Sequence, residues 1–244
     1  DWSSDVCSSD LDVISGYVPG DPYWLPDPQP SFLDATKVKL DSLKIAFSTS
    51  IIPFGEADPN CKQGVLTTIN LLAQLGHKIT EKCPDFSSLI EPFKSVWQSG
   101  IAAAGIPSAA LQPLNRWLLG KSGSLVEYLQ ALKQMQMVSR QIVAFFDSVD
   151  ILVLPVYLHS PIRIGEWADL TVEETFAKIA HWVAPCPVAN ATGLPAIALP
   201  VGFDTNGLPI SVQLIGKPAA ESTLISLAAQ LETANPWIQH RPAL

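Results

Sequence analysis

The hydrophobic positions of this chain switch repeatedly between a period of two and a period near three and a half. Leu43–Thr49 (LKIAFST) reads as a strand. Asp58 then offers an N-cap with Pro59 at the first helical position. Val65, Ile69 and Leu72 fall on one face of the helix that follows, and Gly76 closes it. His77–Lys82 reads as a second strand, so the three elements form a βαβ-like unit with parallel strands and a right-handed crossover. Phe86–Ala104 is helical in pattern, and Pro107–Gly120 is a broken connector. Ser124 with Glu127 makes a capping box that opens a long helix to about Asp147. Its apolar stripe is Leu125, Tyr128, Leu129, Leu132, Met135 and Ile142. Asp150–Pro155 (DILVLP) is apolar without alternation, the mark of a strand buried on both faces. Thr171 and Glu174 cap a further helix through about Trp182.

Residues 190–216 (NATGLPAIALPVGFDTNGLPISVQLIG) carry the most distinctive pattern. Ile197, Leu199, Val201 and Phe203 alternate with Ala196, Ala198, Pro200 and Gly202, which gives a strand with one bulky face and one bare face. Asp204-Thr205-Asn206-Gly207 supplies a loop that tolerates positive φ. Ile210, Val212 and Leu214 then alternate with Ser211, Gln213 and Ile215. A β-hairpin results, and its bare face invites a close neighbour. A last helix starts at Pro218, with Leu224, Leu227, Ala228 and Leu231 on one side, and Pro236 ends it.

The two ends of the N-terminal segment read differently. Residues 1–11 (DWSSDVCSSDL) are polar, low in complexity and without periodicity, and they lack the basic and apolar regions of a signal peptide. They resemble a conceptual translation of sequencing-adapter DNA. We therefore expect residues 1–11 to be a non-native tail and residues 12–244 to form one α/β domain or part of one. Residues 12–32 are rich in proline, glycine and aromatics. They read as an ordered irregular loop whose Tyr17, Tyr23 and Trp24 seek burial.

Composition narrows the function. Of 244 residues, 48% are hydrophobic and only 16% charged, against about 25% charged in typical soluble domains. A large core is thus available. The net charge of −8 and the lack of a basic stripe argue against nucleic-acid binding. Removing Asp1, Asp5 and Asp10 with the tail takes −8 to −5. No apolar run approaches the roughly 18 residues of a membrane span, so no membrane association is expected. Cys7, Cys61, Cys83 and Cys186 show neither metal-ligand nor disulfide spacing, which fits a reducing, cytoplasmic setting.

Residue types alone assemble no complete active site. Lys121-Ser122-Gly123-Ser124 contains a serine and a lysine base, but the Ser124–Glu127 spacing already explains Ser124 as a helix cap. His181 and Cys186 stand five apart as a thiol–imidazole pair, or as a helix-terminal histidine and a small buried cysteine. His77, His159 and His240 read as isolated surface or capping residues. Asp150 stands where strand ends carry sites in α/β sheets, and a loop-capping role explains it equally. No P-loop, G-x-G-x-x-G, H-E-x-x-H or G-x-S-x-G motif is present.

The hairpin string, with Asn190-Ala191-Thr192-Gly193-Leu194-Pro195 before it and Gly216-Lys217-Pro218 after it, closely resembles the C-terminal core of the amidase signature family. Other segments agree in order: residues 16–32 (GYVPGDPYWLPDPQPSF), the strand–helix–strand of residues 43–82 with its LGH turn, Asp150–Pro155 followed by Ile164-Gly165-Glu166, and the closing Leu231-Glu232, Pro236-Trp237 and Arg241-Pro242. The resemblance covers residues 12–244. It implies an α/β fold in which a mixed β-sheet is flanked by helices, here the C-terminal portion of the amidase-signature domain. It implies hydrolysis of carbon–nitrogen amide bonds of a small-molecule substrate, without metal or other cofactor, through a lysine, a cis-peptide serine and a nucleophilic serine. In the family these lie upstream of the loop matched by residues 16–32. We therefore expect an inactive fragment in which no residue inherits the triad. The resemblance places Trp182, Cys186 and Asn190 near the acyl-group pocket, with Trp117 a further candidate. An ordinary task for Asn190 is a hydrogen bond to the hairpin backbone. A homodimer is compatible with this reading. The alternatives are a transamidosome-type amidotransferase subunit, which would need partner subunits and tRNA, and a non-catalytic α/β binding module.

Overall fold

In the computed structural model, which describes residues 4–237, the apolar run after Asp150 becomes the middle strand of a mixed sheet. The chain runs α1 (Ser4–Ile14), α2 (Phe32–Ala35), β1 (Lys44–Phe47), β2 (Ser50–Ile51), β3 (Gly55–Glu56), α3 (Pro59–Gln74) and β4 (Lys78–Glu81). It continues through α4 (Ile90–Ala103), α5 (Pro113–Leu119), α6 (Leu125–Ala144), β5 (Ile151–Pro155) and α7 (Val172–Trp182). It closes with α8 (Pro187–Thr192), β6 (Ala196–Phe203), β7 (Pro209–Gly216) and α9 (Glu221–Ala234). The main sheet has five strands in the order β4-β1-β5-β7-β6. Strands β4, β1 and β5 are parallel, and β7 is antiparallel to both β5 and β6. The mixed α/β architecture expected from the sequence is therefore present. His240 and Arg241-Pro242 lie outside the described residues.

Every residue of β5 is buried. Ile151 and Val153 join Val65, Ile69 and Leu72 of α3 and Leu224, Leu227 and Leu231 of α9 in one core. Leu152 and Leu154 point the other way, into a second core with Val138 and Ile142 of α6 and Val188 of α8. The alternation of one strand thus sets up both helical layers. Asp150 fixes its start: Oδ2 accepts the Lys44 amide at 2.8 Å, and Oδ1 accepts from Lys217 Nζ at 2.6 Å. Asp58 caps α3 by accepting the Cys61 amide at 2.7 Å, and its other oxygen accepts the Ser160 amide at 2.9 Å. One carboxylate therefore ties α3 to the loop leaving β5.

Several local expectations need correction. Residues 4–14 are helical, and α1 packs on α2 and α9, although residues 1–11 read as aperiodic. Of the aromatics in residues 12–32, Phe32 is buried but Tyr17, Tyr23 and Trp24 are not: Tyr17 and Trp24 pack on each other with centroids 5.4 Å apart, and Tyr23 is 91% exposed. The residues that bury α6 are Ala131, Val138, Ser139 and Ile142. Its first turns carry Leu125 and Leu129 outward, because no neighbour covers that half among the described residues. The connector before α6 contains α5, and the small β2–β3 ribbon follows from no pattern in the sequence. His77 is buried rather than at the surface. The Leu43 amide donates to its Nδ1 at 3.1 Å, which leaves Nε2–H to donate to Gln230 Oε1 at 2.9 Å.

The hairpin has the bulky and bare faces read from the sequence, but the close neighbour lies on the bulky side. A Cβ built on Gly64 of α3 would stand 2.9 Å from Ile210 Cγ2 and 3.0 Å from Val201 Cγ2. The bare side, with Ala196 and Ala198, is exposed. The register slips between Pro200 and Gly202, so Val201 is the extra residue of a bulge on this edge strand.

Two measurements test these contacts. Gly64→Val should destabilise the protein by about 2–3 kcal/mol in thermal or denaturant unfolding, because two branched methyls cannot both retreat. Gly64→Ala should cost less, since helix propensity returns about 1 kcal/mol. For Asp58 and Asp150, partial burial alone would raise the carboxyl pKa. The hydrogen bonds from Cys61 and Ser160, and from Lys217 and Lys44, outweigh it and hold both below the ordinary 3.8. Their stabilisation is complete above that value and is lost as pH falls through the depressed folded values. Acid unfolding below about pH 4 should therefore flatten in Asp58→Asn and Asp150→Asn.

Candidate active site

The core that contains Leu152 and Leu154 continues outward into a cavity. Helices α4, α6, α7 and α8 enclose about 530 Å³ of space, the volume range of small-molecule sites. Phe93 and Trp97 of α4 form one wall, and Phe176, Ile179, Ala180 and Val183 of α7 another. Met135 of α6 and Val188 of α8 contribute nearer the sheet.

The α8 wall is the firmly held one. Pro187 stands in its first turn, and Gly193 ends it with φ 69°, a left-handed cap suited to glycine. The Ser139 hydroxyl donates to Ala191 O at 2.8 Å, joining α6 to α8. The buried Gln213 amide of β7 donates to Pro185 O at 3.2 Å, joining the sheet to the residue that leads into α8. In contrast, α7 contains no buried residue. A Thr171–Glu174 capping box, as read from the sequence, starts it.

Charge is scarce in the cavity. Among the described residues Lys94 is the one charged group on its wall, and its ammonium is paired with Glu91 at 2.7 Å. Cys186 lines the cavity, and its thiol donates to Val156 O at 3.2 Å. Burial pushes that thiol pKa up, the opposite of what a nucleophile needs. Asn190 also lines the cavity, and its carboxamide makes no hydrogen bond among the described residues. The hairpin-backbone bond considered for it does not form among the described residues, and the residue is exposed to solvent.

Trp182 and Trp117 are not on the cavity wall. Trp182 donates its indole N–H to His159 O at 2.9 Å and stacks on the His159 ring at 5.5 Å. His159 is thus part of an aromatic cluster with Trp167, His181 and Trp182, and not isolated. Trp117 packs on Phe176 from outside, with ring centroids 5.3 Å apart. Ser124 is consumed by its cap: its Oγ donates to Glu127 Oε2 at 2.8 Å and receives the Glu127 amide at 3.3 Å. Lys121 lies over the Trp117 ring, so the Lys121–Ser124 string is structural. Asp150 serves the strand ends described above. Among the described residues no group of three or more His, Cys, Asp or Glu comes together in a way that could hold a metal ion.

Sequence reasoning missed Trp97 and Phe176. The signal was present as Phe93/Trp97 and as Phe176/Ile179/Ala180/Val183, both at helical spacing. Periodicity marks an inward face, and it does not distinguish a filled core from a void.

A sequence profile of the amidase family matches residues 5–225. The chain belongs to the amidase (amidase signature) family. An amidase-family protein of Synechocystis sp. is 47% identical over 222 residues, covering 91% of this chain and 44% of that protein. The amidase of Pseudomonas putida is 28% identical over 246 residues, covering 96% of this chain and 52% of that protein. The chain thus spans about half the length of the curated amidases it matches. The solved 6-aminohexanoate cyclic dimer hydrolase shares its fold, with a TM-score of 0.87 at 24% identity over 98% of this chain and 55% of that one. A bacterial aryl acylamidase of the amidase signature family does so with a TM-score of 0.77 at 18% identity, over 99% of this chain and 54% of that one. No helix among the described residues of this amidase-family chain is long and apolar enough to cross a membrane.

The thiols offer a check on the site. Cys7 is exposed, whereas burial pushes Cys61 and Cys83 up to about 12 and raises Cys186. Iodoacetamide at neutral pH should label Cys7 well before Cys186, as read by peptide mass spectrometry. Rapid labelling of Cys186 would revive it as a nucleophile.

Proposed function

We propose that this chain supplies the substrate-holding part of an amidase that hydrolyses carbon–nitrogen bonds of small amides, with the cavity receiving the apolar body of the substrate. The observation that carries this reading is the cavity of about 530 Å³, with its apolar walls and, among the described residues, a single ion-paired lysine. In this reading Asn190 and Cys186 contact the substrate, and Trp117 and Trp182 hold the walls from behind.

The chemistry itself belongs to a Ser–cis-Ser–Lys triad carried by sequence outside these 244 residues, so the chain alone turns nothing over. Such a lysine must be neutral to act as a base, which desolvation or a fixed hydrogen-bond partner achieves. Its proton uptake, relayed through the bridging serine, frees the nucleophilic serine to take the acyl group as the amine leaves. Water then releases the acid. Backbone amides stabilise the tetrahedral oxyanion. No metal or organic cofactor enters this scheme. The scattered free cysteines suit a reducing cytoplasm.

Hydrolysis of benzamide and of acetanilide, followed by chromatography, tests the proposal. The 244-residue chain should show no turnover, and the complete protein with its triad should. In the complete protein, Asn190→Ala should raise KM by about tenfold and leave kcat nearly unchanged, the loss of one ground-state hydrogen bond. Turnover by the chain alone would overturn the placement of the triad.

A further inference from the structure

We infer that Phe176 sets how long an uncharged hydrocarbon group the cavity accepts, and that Trp117 is the positioning residue that holds Phe176 there. This inference rests on reading the cavity as the substrate site. It names the class as amides whose buried part is a neutral alkyl or aryl chain.

The charge pattern supports that class. Lys94 is the one charged group on the wall among the described residues and stands with Glu91 as an exposed pair, so a carboxylate or ammonium seated among the apolar walls away from it would lose hydration uncompensated. The length limit follows from three aromatic rings on three helices. Phe176 of α7 and Trp97 of α4 both line the cavity, and their ring centroids are 5.9 Å apart with planes inclined by 32°. The α4 and α7 walls therefore touch at this pair. Trp117 of α5 lies behind Phe176, 5.3 Å from it, and does not line the cavity.

Trp117 holds α7 at two points. Its ring contacts Phe176, and its indole N–H donates to Glu173 Oε1 at 2.6 Å. Glu173 stands three residues before Phe176, on the adjacent turn. Lys121 Nζ, 5.7 Å from the Trp117 centroid, adds a cation over the same ring. Because α7 has no buried residue, such contacts, and not a core, fix how far Phe176 reaches inward. Ala180 lies one turn further along the same wall. A larger side chain there would shorten the cavity, as removing the Phe176 ring would lengthen it.

The test is calorimetric titration of the 244-residue chain with two homologous series, butanamide to dodecanamide and butanol to dodecanol. Affinity should rise by about fourfold per methylene while the chain still finds room, then level off where it meets the Phe176–Trp97 pair. Phe176→Ala should move that levelling point longer by about two carbons, and Ala180→Leu should move it shorter. Trp117→Ala should shift it in the direction of Phe176→Ala, and Trp117→Phe should restore most of the original limit by keeping the ring contact. Far-ultraviolet circular dichroism identifies variants that remain folded. An unchanged levelling point in folded Phe176→Ala and Ala180→Leu overturns the inference. A shift in Phe176→Ala with none in Trp117→Ala overturns the positioning role. The head groups separate this from the amidase reading. If levelling moves in both series but amides bind no better than alcohols, the wall stands and the amide reading falls. If amides are preferred and levelling never moves, the wall falls and the amide reading stands.

Discussion

Asp150 holds three strands at one end of the sheet. Its carboxylate takes the amide of Lys44, the first residue of β1, and the ammonium of Lys217, just past β7. Strand β5 therefore starts level with a parallel neighbour on one side and the end of an antiparallel one on the other. From that alignment the two cores follow, because β5 sends Ile151 and Val153 to one layer and Leu152 and Leu154 to the other. On the first side, α3 and α9 pack directly on the strands. On the second, Val138 and Ile142 of α6 and Val188 of α8 share a core with Leu152 and Leu154, while α4 leans on α6 and α7 on α5. The outer pair stands off from the sheet, and the space it leaves is the cavity.

What the sequence revealed was local and chemical. Asp58 with Pro59, Ser124 with Glu127, and Thr171 with Glu174 each start a helix where their side chains predicted, because a cap is decided by neighbours in sequence. The DILVLP run could be read as doubly buried because only an interior strand tolerates five consecutive apolar positions. What stayed hidden depends on distant neighbours. Leu125 and Tyr23 look like core residues in any pattern, and they are 72% and 91% exposed. His77 looks like a surface residue until Gln230 reaches it from the far end of the chain.

Of the candidate cavity the sequence showed only part. Cys186 and Asn190, singled out through the family resemblance, lie on its wall. Trp117 and Trp182 are drawn toward other aromatics instead. Trp97 and Phe176 escape a linear reading, since two rings from sequence positions nearly eighty apart become one wall only after α4 and α7 are side by side. The hairpin names the family, yet its own close packing is structural: Gly64 lets α3 rest against Val201 and Ile210.

Helix α7 lines the cavity without supplying a single buried residue to either core. Wall and foundation are therefore separate in this protein. Substitutions along α7 can remodel what the cavity admits while leaving untouched the interactions that keep the sheet and its two cores intact. A scaffold divided in this way can vary the shape of its cavity by mutation without first having to survive a loss of stability.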